Sequence, residues 1–241
     1  MTIDDTVANT RLGFLLKRYV SRLELRILTY YKRSPSEQRS LTVVKRLYSQ
    51  ESSSSLILLR GGIPILFSPG ELLNIWHQAH ALQNHGGAFA EVGAFRGDSA
   101  EIICDAKGER DFYVFESFQG LPEVSIIDTR YSKGLFRSEE QRLRDRLRNY
   151  SNTIVIAGYF PDTASSILPE KFSFVHVDLD LYQPTLKALM FFYPKMLPGG
   201  RIVVHDYSHC VGVFKAVDEF FGNKPENVEP MAATQALIIK K

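Results

Sequence analysis

Cysteine is scarce. The 241 residues hold only Cys104 and Cys210, so a disulfide framework is excluded and a reducing, cytoplasmic setting is expected. No apolar run approaches the roughly 18 residues of a membrane span. The first ten residues, MTIDDTVANT, are acidic and polar and do not read as a secretory signal. No repeat is visible at a period of about 20–50 residues. The dinucleotide fingerprint G-x-G-x-x-G is missing as well. Net charge is small, with 29 Lys plus Arg against 27 Asp plus Glu, and a nucleic-acid partner is not expected. What the chain does have is core material: 16 Phe, 11 Tyr and a 44% apolar fraction. That composition excludes disorder, collagen and coiled coil as whole-chain readings.

The small net charge conceals a basic N-terminal region. Between Arg11 and Arg46 ten Lys or Arg stand against Glu24 and Glu37. Leu12, Leu16, Tyr19, Leu23, Ile27 and Tyr30 recur at steps of three and four, as one face of a helix requires. Residues 1–60 are thus expected to form a helical extension that packs on the domain or on a second copy in a homodimer. A lid, a lipid-facing helix and a nucleic-acid patch are the other readings of such a segment. Ser52–Ser55 punctuates the chain as a turn.

Residues 61–241 read as one domain of alternating strands and helices. FAEVG (89–93), FYVF (112–115), TIVIA (153–157), FSFVHV (172–177) and RIVV (201–204) are short and rich in Val, Ile and Phe, as buried parallel strands are. Helices are expected over 98–107, over 138–149 with a Ser138–Gln141 capping box, and over 183–196. The last carries Leu186, Leu189, Met190 and Tyr193 on one face and ends at Pro198-Gly199-Gly200. The pattern predicts an α/β doubly wound parallel sheet. In such sheets ligands bind beyond the carboxyl ends of the strands. Gly93, Glu116, Gly158, Asp178, His205 and Asp206 collect there.

The loop after the first strand carries Glu91, Gly93, Ala94, Phe95, Gly97 and Ser99. Gly93 permits a positive φ, and Gly97 and Ser99 mark a helix N-terminus, which favours an anionic group. Glu91 would repel a pyrophosphate and suits an ammonium. A ligand with both an amino and a carboxylate group fits, and S-adenosylmethionine has both. Glu116 ends the second strand, where a carboxylate can accept two hydrogen bonds from a ribose diol.

Asp178 and Asp180 follow the fourth strand, and His205-Asp206-Tyr207 the fifth. Period-two alternation puts Asp178 and Asp180 on one side if the strand continues. Adjacent strands would bring Asp178 beside His205 and Asp206. Such a cluster can hold a divalent cation or use His205 as a general base. It can also simply cap the sheet as a polar cluster. The segment Phe118–Tyr131 is long enough for an active-site lid.

Five blocks in order, EVGAFRGDSA (91–100), FESFQGLPE (115–123), GYFPDT (158–163), HVDLDLYQPTLKAL (176–189) and PGGRIVVHDY (198–207), resemble the macrocin O-methyltransferase (TylF-type) family. AVDEF (216–220) extends the match. The resemblance implies a Rossmann-like doubly wound sheet of class I methyltransferase type with S-adenosylmethionine as cofactor. It implies methylation of a hydroxyl on a sugar or other natural-product small molecule, assisted by Mg²⁺. Glu91, Gly93 and Gly97 would surround the methionine end of the cofactor and Glu116 its ribose. Ala94, Phe95, Ser99, Ser117, Gly158, Tyr159 and Asp178 complete the expected cofactor set. Asp178 and Asp206 would ligate the metal, with His205 standing where the family typically has Asp. Asp178, His205 and Asp206 are therefore the expected catalytic and metal residues. An NAD-dependent reductase and a non-catalytic binding module are the rival readings.

Overall fold

The computed structural model describes residues 38, 42, 44–46, 66–164, 171–231 and 233–241. The apolar stripe from Leu12 to Tyr30, the Ser52–Ser55 turn and the expected homodimer contact lie outside the described residues. By contacts the chain divides into two units, residues 1–73 and 74–241. Among the described residues, no helix is long and apolar enough to cross a membrane.

Among the described residues, the helix α1 (Pro69–His80) was not anticipated. Its start is a reciprocal capping box: Ser68 N donates to Glu71 Oε2 (2.7 Å) and Glu71 N donates to Ser68 Oγ (3.3 Å). Pro69 takes the first helical position, where its missing N–H costs nothing. The remaining elements are β1 (Ala88–Val92), α2 (Asp98–Ala106), β2 (Phe112–Glu116), α3 (Glu140–Leu147), β3 (Thr153–Ala157), β4 (Phe172–Val177), α4 (Tyr182–Phe192), β5 (Met196–Val204), α5 (Val211–Phe221), β6 (Val228–Pro230) and β7 (Ala236–Ile239).

Seven strands form one sheet in the order β3-β2-β1-β4-β5-β7-β6. The first five are parallel. The expected strands are all present. The C-terminal pair β6–β7 was missed; it adds two short antiparallel strands beyond β5. Chain order reverses between β1 and β4, which makes the gap between their carboxyl ends the switch point where ligands bind.

Two faces sort the residues. Ala88, Ala90, Val92, Phe115, Val175, Val177, Ile202 and Val204 pack against Leu189 and Phe192 of α4 and Val213 and Val217 of α5. Phe192 anchors this side, stacked on Phe160 at 5.2 Å and edge-on to Phe172 at 5.0 Å. Alternation then assigns Phe89, Glu91, Glu116, Phe174, His176 and His205 to the other face.

Several local expectations are corrected. Helix α3 starts at Glu140 after Glu139 with no side-chain cap, and Ser138 Oγ has no hydrogen-bond partner, so the Ser138–Gln141 box does not form. Helix α4 ends at Phe192, and Pro194 sits in the 3₁₀ turn Tyr193–Lys195 that follows. Proline cannot continue the backbone ladder, so it acts before Pro198-Gly199-Gly200, which instead lie inside β5. Helix α4 buries Thr185, Ala188, Leu189 and Phe192, while Met190 is exposed. Strand β4 stops at Val177, so Asp180 does not reach the site by strand alternation. It does so through a left-handed backbone conformation, φ 60°.

Candidate active site

The parallel ladder runs one step past the strand ends and fixes the site. Gly93 N donates to Phe115 O (3.0 Å), Asp178 N to Val92 O (2.9 Å), His205 N to Val177 O (2.9 Å) and Gly158 N to Glu116 O (2.9 Å). Gly93, Glu116, Gly158, Asp178 and His205 therefore share one edge of the sheet. Gly93 has φ 89°, and a Cβ there would lie 1.7 Å from the Asp178 carbonyl oxygen. Only glycine lets β1 and β4 end this close together.

Gly97, φ 85°, opens α2, and a Cβ there would meet Leu143 of α3 at 2.5 Å. Arg146 of α3 clamps the same loop. Its guanidinium donates to Glu101 Oε2 (2.8 Å) and Arg96 O (2.9 Å) and pairs with Asp98 Oδ1 (2.7 Å). Sequence reasoning missed Arg146, because nothing local in its helix marks a partner 45–50 residues away.

Glu116 is buried and accepts from Phe95 N (2.6 Å), Phe118 N (2.9 Å) and Ser117 Oγ (3.3 Å). Burial raises its pKa in spite of these bonds. These bonds fix the Glu116 carboxylate beside the glycine loop, where a ligand hydroxyl can share its oxygens. Glu91 is wholly buried, with Oε1 on His176 Nδ1 at 2.8 Å. Among the described residues its Oε2 and the buried Ser99 Oγ have no hydrogen-bond partner. Tyr159 is half-buried after Gly158.

At the other side of the switch point, His205 Nδ1 lies 3.3 Å from Asp178 Oδ1 and 3.4 Å from Asp206 Oδ1. Burial pulls the His205 pKa down, but the two carboxylates outweigh it and hold it well above its ordinary value. Asp180, Asp206 and Cys210 form an adjoining group that shares Asp206. Burial, then Asp178 and Asp206, push the Asp180 carboxyl well up. Asp180, Asp206, Phe95 and Phe118 all have φ between 49° and 60°. Each such non-glycine conformation costs about 1–3 kcal/mol, and strain of this kind gathers at functional sites.

The segment 118–137 spans the two halves. Phe136 meets Phe95 of the glycine loop edge-on at 5.8 Å. Tyr131 Oη and Cys210 Sγ are 2.8 Å apart, and burial raises both groups' pKa values. Asp128 accepts from Tyr182 N at the start of α4 (3.2 Å) and from Ser125 Oγ (2.7 Å). A Cβ on Gly212 of α5 would lie 1.9 Å from Asp128 Oδ1. The loop is thus pinned to the first turns of α4 and α5. Neither Asp128 nor the Tyr131–Cys210 contact was expected, since both depend on where the loop folds back.

The family model described as Macrocin-O-methyltransferase (TylF) matches residues 73–235. The chain belongs to this family. Demethyldecarbamoylnovobiocin O-methyltransferase of Streptomyces niveus is 32% identical over 155 residues, 57% of this chain and 59% of the relative. A second Streptomyces relative, from S. olivaceus, is 8-demethyl-8-(2,3-dimethoxy-alpha-L-rhamnosyl)-tetracenomycin-C 4'-O-methyltransferase. It is 26% identical over 139 residues, 51% of this chain and 53% of the relative. The chain thus spans somewhat over half the length of these relatives. The solved structure of the O-methyltransferase NovP shares the fold, with a TM-score of 0.66 and 24% identity over 72% of this chain and 81% of that one.

Within this TylF family domain Gly93, Glu116, Gly158, Asp178 and His205, expected at strand ends, are found at the shared edge, with Ala94, Ser117 and Asp206 next to them in the chain. Asp178, His205 and Asp206 are brought together, with one ligand atom of each within 4.8 Å of the others. Glu91 differs in surroundings from the expectation of an open ammonium acceptor: one of its oxygens is taken by His176, and only Oε2 is left.

Proposed function

We propose that the chain is an S-adenosylmethionine-dependent O-methyltransferase acting on a hydroxyl of a sugar-bearing or related natural-product small molecule. The observation that carries this reading is the meeting of two features at one switch point. One is a glycine loop after β1 whose Phe95 N–H is held by the buried Glu116 carboxylate at the end of β2. The other is the Asp178–His205–Asp206 cluster on the next two strand ends. The family match and the relatives' names supply the reaction class.

The residues present fit the cofactor. Gly93 and Gly97 leave backbone room at the loop. Ser99 Oγ at the α2 N-terminus and Glu91 Oε2 are orphaned buried polar atoms, suited to the carboxylate and ammonium of a methionine moiety. Glu116, flanked by Phe95 and Ser117, is placed to accept from a ribose hydroxyl that shares its oxygens with these donors. When bound, S-adenosylmethionine supplies a methyl group made electrophilic by the sulfonium. The chain supplies placement and exclusion of water, with the 118–137 loop reaching across both halves.

Asp178, His205 and Asp206 also fit a divalent cation: three donors converge, and a bound ion would lower the pKa of an acceptor hydroxyl. An oxygen of Asp178 or Asp206 not engaged with such an ion would accept the one proton that leaves the acceptor hydroxyl. The metal-free alternative, with His205 as base, is weaker. A lone base needs one orienting carboxylate, whereas here two lie 3.3 and 3.4 Å from the same imidazole nitrogen, as a ligand set does. The reductase reading fails with the family match. Both cysteines are free and buried, in keeping with the reducing, cytoplasmic setting proposed for the enzyme.

Substitution separates these roles. Asp206→Ala abolishes turnover while S-adenosylmethionine binding persists, because the glycine loop and Glu116 are untouched. Turnover that is unchanged in this variant sinks the assignment. Activity that survives EDTA removes the metal and restores His205 as the base.

A further inference from the structure

Resting on the methyltransferase reading of this site, we infer that the Asp178–His205–Asp206 cluster selects a borderline first-row ion such as Fe²⁺, Co²⁺ or Zn²⁺ over Mg²⁺. The donor set decides the class. Mg²⁺ is hard, is held by carboxylates and substrate oxygens, and sheds its waters reluctantly. Imidazole nitrogen suits the later first-row ions, whose affinities climb along the Irving–Williams series.

The nitrogen here is built in. His205 follows β5 directly, and its backbone N–H is tied to Val177 O at 2.9 Å. Its side chain is only 7% exposed. Its ring lies 6.4 Å from that of His176, which is itself held by Glu91. The Nδ1 separations of 3.3 and 3.4 Å to Asp178 and Asp206 suit a shared ion. Two ligands about 2.0–2.2 Å from one metal, at roughly 90–110°, lie about 2.9–3.6 Å apart. Cys210 is engaged with Tyr131, so the set is one nitrogen and two carboxylate oxygens, with the remaining positions open to an acceptor hydroxyl or water. Such a site discriminates through the nitrogen. Replacing His205 by a third carboxylate makes an all-oxygen site, which suits Mg²⁺.

The test uses the full chain stripped of metal and reads ion binding, not turnover. Mn²⁺ is titrated by electron paramagnetic resonance and Co²⁺ by its visible absorption, each alone and against Mg²⁺. Wild-type protein is expected to bind one Co²⁺ at least about tenfold more tightly than Mg²⁺, with nitrogen modulation in the spin-echo spectrum of bound Mn²⁺. His205→Asp loses that modulation and narrows the Co²⁺-to-Mg²⁺ ratio by about tenfold or more. The wild-type competition decides alone should the variant not fold. Mg²⁺ binding as tight as Co²⁺, Mn²⁺ without nitrogen modulation, a ratio unmoved by a folded His205→Asp variant, or no ion bound at all each overturns the inference. Calorimetry with S-adenosylmethionine on the same samples reports separately on the methyltransferase reading.

Discussion

Replacing Arg146 by Met tests whether α3 holds the cofactor loop. The guanidinium is 22% exposed and the Asp98 and Glu101 side chains 11% and 10%, so the cluster is largely shielded from water. Removing one partner of a fully buried ion pair costs about 3–5 kcal/mol, chiefly because the partner's charge is stranded. The residual solvent contact and the favourable position of both acids in the first turn of α2 reduce this to about 2–3 kcal/mol. For a chain of this length each kcal/mol lowers Tm by about 2–4 °C, so calorimetric unfolding is expected to show a drop of about 5–10 °C. The loop carbonyl of Arg96 loses its donor too, so the KM for S-adenosylmethionine rises about tenfold while kcat at saturation changes little. Arg146→Lys restores charge without the fork and falls between. Adding Asp98→Asn and Glu101→Gln to Arg146→Met recovers part of the lost stability. A Tm drop under about 1 °C, or no recovery on neutralising the two acids, refutes the clamp.

Two further outcomes concern pH. Glu226 carries a pKa lowered from 4.5 to about 2: burial alone would raise it, and the hydrogen bonds from Lys240 and Tyr193 overcome that. A depressed carboxylate stabilises the fold above its unfolded pKa and loses that contribution as pH falls. The Tm gap between wild type and Glu226→Gln is therefore widest above about pH 4.5 and closes toward pH 2; a gap independent of pH is the contrary result. Burial raises Glu116, and only its ionised form offers all its acceptor positions. Cofactor affinity is thus expected to fall with decreasing pH at a midpoint above the ordinary carboxylate value, and Glu116→Gln is expected to remove that step. A midpoint that stays in place in the variant assigns it elsewhere.

Five strand ends were legible because a buried parallel strand is an unbroken apolar run, and here each run stops at a glycine, an acid or a histidine. Lateral order then put Asp178 beside His205 and Asp206, since β4 and β5 are neighbours. Helix α1 was legible too, in Ser68-Pro69-Gly70-Glu71, but the capping box was sought at Ser138 instead. Strands β6 and β7 are three and four residues long, below the length at which alternation stands out from noise. Helix α4 was placed correctly but turned wrongly, because apolar residues surround it and Thr185 takes a core position. The left-handed turns at Asp180 and Asp206 and the Arg146 clamp arise from tertiary contacts and leave no local pattern.

Calorimetric titration of the full chain with S-adenosylmethionine tests the central claim most directly. Saturable one-to-one binding near micromolar affinity, about −8 kcal/mol, is the expected result, weakened by Glu116→Ala and preserved in Asp206→Ala. No binding, with or without a divalent cation, would leave the sheet and its family standing but contradict the function proposed for this site.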